Sequence, residues 1–113
     1  MSLLESLMGF AVEYHARPEL VAEQRGWSRT IALSADDTGE RAGARVDDGR
    51  IVELYDDRRA SDVTIRADSA TLRDILELKR SANEPYLFGE LTVQGSEADF
   101  LRLDYLTGRL CPP

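Results

Sequence analysis

The sequence predicts an α+β fold: a five-stranded, mainly antiparallel (mixed) sheet covered by helices. Three observations lead there. Apolar residues spaced three and four apart mark helices at both ends of the chain. Strict alternation of apolar and polar residues marks strands in the middle. The two kinds are segregated along the sequence, not interleaved as repeated β-α units. At 113 residues the chain makes one domain, 1–113, with room for a single core.

The N-terminal helices occupy 1–25. Leu4, Leu7, Met8, Ala11 and His15 form one helical stripe with Val12 beside it. Arg17-Pro18 breaks that stripe, because the residue before proline is pushed out of the α region. Pro18 then suits the first position of a short second helix, with Leu20 and Val21 on its apolar face and Gly26 as its stop.

Four strands fill 27–67. Ile31, Leu33 and Ala35 alternate with Thr30 and Ser34. Ala42, Ala44 and Val46 alternate with Arg41, Gly43 and Arg45. Asp48-Gly49 is a two-residue hairpin signal, since both residue types tolerate positive φ. The third strand runs from Arg50 to Tyr55, and Val63, Ile65 and Ala67 belong to the fourth. A helix over 69–80 follows, capped by Asp68 or Ser69 and carrying Leu72, Ile75 and Leu76 on its buried side. A fifth strand spans 90–94. The last helix spans 96–107, with Ser96 as cap and Gly108 as stop.

That last helix holds Phe100, Leu101, Leu103, Tyr105 and Leu106. These five spread around most of its circumference, whereas a surface helix needs only three or four apolar residues per two turns. It must therefore be covered on both sides, or face a cavity, a ligand or a partner.

Composition excludes several classes of function. A net charge of −7 repels phosphate backbones, which argues against nucleic-acid binding. No apolar run is long enough for an integral membrane segment. The segment from Met1 to Phe10 carries Glu5 and lacks a basic lead, so it does not read as a signal peptide. Cys111 and His15 are the only residues of their kinds. They leave no disulfide, no multi-histidine metal site and no catalytic triad except through His15. Asp36-Asp37, Asp47-Asp48 and Asp56-Asp57 fall in separate turns, where aspartate serves backbone hydrogen bonds better than it serves a cation. The residues thus indicate no catalytic group, no metal and no cofactor. Arg58, Arg59 and Arg80 stand as solvated side chains or as contacts for a ligand's anionic group.

The order and spacing of these pieces resemble a known family, the sterol carrier protein 2 (SCP2-type) lipid-binding domain. The resemblance runs from Glu19 to Leu106. It is carried by Pro18-Glu19-Leu20 before the first strand, by Asp48-Gly49-Arg50-Ile51-Val52 at the hairpin, and by Ala60-Ser61-Asp62-Val63-Thr64-Ile65 before the Ser69 helix. Pro85 ahead of Gly89-Glu90-Leu91-Thr92-Val93-Gln94-Gly95 completes it. The resemblance implies a hydrophobic tunnel between sheet and helices that holds a fatty acid, acyl-CoA, sterol or other lipid without catalysis. By position, the ligand-facing residues it implies are Leu33, Leu54, Ile75, Leu76, Tyr86, Phe88, Leu91, Phe100, Leu101, Leu103 and Tyr105. For each of them plain core packing is the first reading and ligand contact the second. The chain is similar to small stand-alone bacterial members, and a cytoplasmic location is expected by default, since the sequence shows no other address. The alternative is an accessory or interaction subunit, a homodimer or the partner of a lipid-modifying enzyme, that docks through the apolar last helix.

Overall fold

The computed structural model describes residues 2–111. Met1 and the two closing prolines, Pro112 and Pro113, lie outside the described residues. Ten elements follow one another: α1 (Leu3–His15), α2 (Pro18–Glu23), β1 (Arg29–Ala35), β2 (Arg41–Asp47), β3 (Arg50–Tyr55), β4 (Val63–Ala67), α3 (Ser69–Leu76), α4 (Asn83–Leu87), β5 (Thr92–Gln94) and α5 (Glu97–Leu110).

The five strands form one mixed sheet in the order β3-β2-β1-β4-β5. β1 pairs antiparallel with β2 and parallel with β4, while β2–β3 and β4–β5 are antiparallel. Asp48 and Gly49 at the β2–β3 turn both have positive φ, 50° and 81°, the conformation whose twist suits a two-residue hairpin. Because β3 and β4 both run parallel to β1, residues 56–62 must return the chain along the sheet. They do so on its outer face, where Arg59 lies over the Tyr55 ring.

The period-two pattern assigns the two faces. Ile31, Leu33 and Ala35 of β1 pair with Ala44, Ala42, Val63, Ile65 and Ala67, all buried, on the inner face. α1 and α3 pack there, against the sheet and against each other. α5 closes the remainder. Its side chains reach α2 and the start of β1 on one flank, through Arg102 to Gln24 and Asp99 to Trp27, and α4 on the other, through Phe100 to Tyr86.

Four local readings need correction. The buried stripe of α1 is Leu3, Leu7, Phe10, Ala11 and Tyr14. Met8 and Val12 are 51% and 68% exposed, so the stripe is rotated from the one centred on Leu4 and Met8. Both phases have helical spacing, and the sheet selects the one that carries two aromatic rings. α3 stops at Leu76, not at 80, because Leu78 takes a left-handed conformation, φ 62°. The amides of Lys79 and Leu78 then close on the carbonyls of Asp74 and Ile75, a helix stop ordinarily signalled by glycine. A short α4 stands where a loop was expected, with Pro85 in its first turn, where a missing N–H costs nothing. Finally, α5 passes through Gly108 to Leu110. Burial of the Leu110 side chain offsets the roughly 1 kcal/mol that an internal glycine costs a helix.

Gly49 provides a test of the hairpin. A Cβ there would lie 2.7 Å from the backbone carbonyl oxygen of Gln24, at φ 81°. Gly49→Ala is expected to cost about 2 kcal/mol or more in urea unfolding. An unchanged midpoint would show that the hairpin tip moves freely away from α2.

Candidate functional site

Between the inner face and α1, α3 and α5 lies an apolar cavity of about 80 Å³. Its walls are built in layers. Ile31 and Leu33 of β1, Ala44 and Val46 of β2, Ile51 of β3 and Ile65 of β4 form the floor. Leu7, Phe10 and Tyr14 of α1 and Leu72, Ile75 and Leu76 of α3 form one roof. Leu103, Leu106 and Thr107 of α5, with Trp27, Ala82 and Leu91, form the remaining wall.

Every polar atom of that lining is already engaged. The Tyr14 hydroxyl donates to the Gly49 carbonyl at 2.5 Å, and burial pushes its pKa up. The indole N–H of Trp27 donates to Asp99 at 2.9 Å. The Thr107 hydroxyl donates to the Asp104 carbonyl at 3.0 Å and accepts from the Ala82 amide. The interior therefore offers surface to an apolar group and nothing to a polar one.

Asp99 carries the closure of this wall. It sits in the first turn of α5, where Ser96 caps the helix. Although the residue is 6% exposed, it accepts from both Trp27 and the Arg29 guanidinium. Burial alone would raise its pKa. The bonds from Trp27 and Arg29 outweigh that and hold the carboxyl below the usual range. Arg102 stacks over the Trp27 ring and bonds Gln24, and the Tyr105 hydroxyl donates to Glu23 at 2.6 Å. A polar seam thus ties α5 to β1 and α2.

Of the eleven residues named from sequence, the structure brings five into the cavity wall: Leu33, Ile75, Leu76, Leu91 and Leu103. The other six lie elsewhere. Leu54 packs against the core from the edge strand β3. Phe100 is buried against Tyr86, their ring centroids 4.3 Å apart. Tyr86 itself is half-exposed, Phe88 and Leu101 are 73% and 56% exposed, and Tyr105 is turned to the polar seam. The physical reason is one of phase. α5 buries a single stripe, Phe100, Leu106 and Leu110 with Leu103 beside it, so its apolar excess lies partly in solvent rather than around a ligand. Sequence reasoning missed Phe10 and Tyr14 because it chose the neighbouring stripe of α1. It missed Ala44 and Ala82 because a small residue that leaves space looks like one that fills it.

His15, Cys111 and most of the paired aspartates have structural partners, and Arg80 pairs with Glu90. Nε2 of His15 accepts from the Ile51 amide at 3.1 Å, and burial together with the nearby Arg50 cation lowers its pKa. The Cys111 thiol donates to the Leu78 carbonyl. The aspartate pairs serve turns and ion pairs: Asp37 holds the Ser69 amide and hydroxyl, Asp36 holds Arg66, Asp57 holds Arg59, and Asp48 holds the Gly26 amide. Among the described residues no group of three histidine, cysteine, aspartate or glutamate side chains is placed to hold a metal ion. No helix among them is long and apolar enough to cross a membrane.

No protein-family model matches the chain, and no curated protein matches it by sequence. Solved structures do match. A crystal structure of sterol carrier protein 2 superposes with a TM-score of 0.70 at 15% identity, covering 95% of this chain and 91% of that one. Sterol carrier protein 2 from Aedes aegypti, in complex with the C16 fatty acid palmitate, gives 0.69 at 13% identity, covering 95% and 96%. A ubiquinone synthesis protein, UbiJ-SCP2, gives 0.62 at 17% identity, covering 84% and 80%. The chain has the SCP2-type fold.

The seam makes a testable claim about pH. A carboxyl whose folded pKa is depressed adds stability above the unfolded value of about 3.9 and loses it as pH falls through the folded value. The stability advantage of the wild type over Asp99→Asn, about 1–2 kcal/mol at neutral pH, should therefore shrink below about pH 4. Trp27 fluorescence in urea at each pH reads both proteins. A constant difference down to pH 2 would show that folding leaves the Asp99 pKa unchanged and that Trp27 and Arg29 do not favour its charged form.

Proposed function

We propose that this protein binds or carries a hydrophobic ligand, such as a fatty acid, acyl-CoA, sterol or other lipid, in the cavity between sheet and helices, without catalysing a reaction. The observation that carries this reading is the wholly apolar lining with every polar atom engaged elsewhere. The palmitate complex of a protein with the same fold supports it. Leu33, Ile75, Leu76, Leu91 and Leu103 are the ligand contacts we favour among those named from sequence, together with Phe10, Tyr14 and Leu106.

Magnitudes define the mechanism. A cavity of about 80 Å³ is half the roughly 150 Å³ that accommodates benzene. An acyl chain enters only if the walls move apart. The helical walls are the ones to move, since side chains hold them across the cavity, whereas the sheet is held by backbone hydrogen bonds. Empty space in a core costs about 24 cal/mol per Å³, so the unfilled cavity costs about 2 kcal/mol. A ligand restores that packing and adds apolar burial at ~25 cal/mol per Å² before ordering costs. Its polar head stays outside, since no free donor awaits it within.

A second reading, an accessory subunit or homodimer, has one observation in its favour. Leu87 and Phe88 at the end of α4 are 69% and 73% exposed, and Leu101 of α5 is 56% exposed. Light scattering separates the two: a monomer that retains lipid supports the carrier.

Ala44 is the position to vary, because its side chain borders the cavity on a central strand. Ala44→Leu is expected to fill the space, leave the melting temperature equal or higher, and weaken binding of a fluorescent fatty acid at least about tenfold, the loss of two buried methylenes at ~0.8 kcal/mol each. Unchanged affinity in a folded variant would place the ligand elsewhere. In the wild type, a fatty acid at about 100-fold excess over Kd should add ~2.7 kcal/mol of stability.

A further inference from the structure

The outer face of the sheet, opposite the cavity, holds a second cluster that the lipid reading does not use. Tyr55 lies flat across the sheet from the edge strand. Its hydroxyl oxygen is 2.5 Å from where a Cβ on Gly43 would stand, so glycine is what admits the ring. Arg59, from the segment between β3 and β4, covers the other side of the ring at 3.9 Å. The hydroxyl is thereby buried, yet it has no hydrogen-bond partner. Two residues along β2 and on the same face stands Arg41, whose Nε is also buried and also without a partner. Ser34 sits opposite Arg41 in the β1–β2 register, half-buried, and its hydroxyl has no partner among the described residues.

Three neighbouring side chains thus present hydrogen-bond donors, two of them hydroxyls that also carry acceptor lone pairs, with no carboxylate among them. Buried polar atoms are nearly always paired, so two orphans on one small patch require a missing partner. The protein does not supply it. Asp36 is engaged by Arg66, Asp57 by Arg59, and Glu53 by both Arg45 and Arg59. Among Arg41, Arg45, Arg59 and Arg66, Arg41 alone has no carboxylate within 4 Å among the described residues.

We propose that Ser34, Arg41 and Tyr55 form a binding site for a small oxyanion, a carboxylate or a phosphate, on the outer face of the sheet. Guanidinium and hydroxyl donors match the acceptors of such a group, and the charge-assisted bond from Arg41 is the stronger contribution. Burial pushes the Tyr55 pKa up, so the hydroxyl keeps its proton and remains a donor. Access requires Arg59 to shift, and Arg59 belongs to an exposed segment. The site is independent of the cavity, so its failure leaves the lipid reading untouched.

The test is an NMR titration of the full chain, following the Arg41 Nε–Hε signal and the Tyr55 ring protons. Sodium phosphate and sodium acetate are the probes, with sodium chloride at matched ionic strength as control. The expected result is a saturable shift with phosphate or acetate but not with chloride, weakened roughly tenfold in Arg41→Gln and roughly fivefold in Tyr55→Phe. Saturation by phosphate alone identifies a tetrahedral anion, and by acetate alone a carboxylate. Vesicles containing phosphatidic acid that broaden the same signals while free phosphate does not would assign the anion to a lipid headgroup. Shifts that stay linear in concentration, or that are equal in Arg41→Gln, overturn the site and leave ordered water as the missing partner. Tyr55→Phe keeps the ring on Gly43 and so keeps the fold. If it melts higher than the wild type in phosphate as well as in chloride, the hydroxyl serves no anion and the site is likewise overturned.

Discussion

The parallel pairing of β1 with β4 is the constraint on which the rest of this molecule depends. Hairpins alone would give an antiparallel meander. A parallel neighbour forces the chain to travel back along the sheet between β3 and β4, and residues 56–62 make that journey on the outer face. The inner face is thereby left clear for α1, α3 and α5, which must cover it. Both places where this protein departs from a plain packed core follow from that division.

On the inner face, coverage is incomplete over a floor of Ile31, Leu33, Ala44, Val46, Ile51 and Ile65. There native packing density fails locally. The polar seam of Asp99, Trp27, Arg29, Arg102 and Gln24 fixes α5 across the gap by hydrogen bonds rather than by tight apolar contact.

Much of the architecture was legible in the amino-acid order. Period-two stretches located β1 to β4, because alternation on a half-buried strand has no competing interpretation of similar length. Asp48-Gly49 located the hairpin, and Ser96 and Asp68 the helix starts, through side-chain chemistry that acts within three residues. The site was half legible. Leu33 lies on a strand and Ile75 and Leu76 on a helix whose apolar stripe is narrow, while Leu91 stands just before β5 and Leu103 on α5. Phe88, Leu101 and Tyr105 were named because they are apolar and near, yet solvent or a polar partner holds them.

What local chemistry determined, then, is which segments are strand or helix, where most of them begin, and that no metal or catalytic cluster is spelled out. What only the tertiary structure decided is which of two adjacent stripes α1 turns inward, where α3 stops without a glycine, and which side of α5 faces the core. It also decided that Tyr55 lies across Gly43 beside an Arg41 unpaired among the described residues, and that a space remains between the sheet and the helices. Each of these is set by contact between residues far apart in the chain: a helix has no preferred phase until a sheet offers a surface, and a small residue is a gap or a fit only according to what stands opposite it.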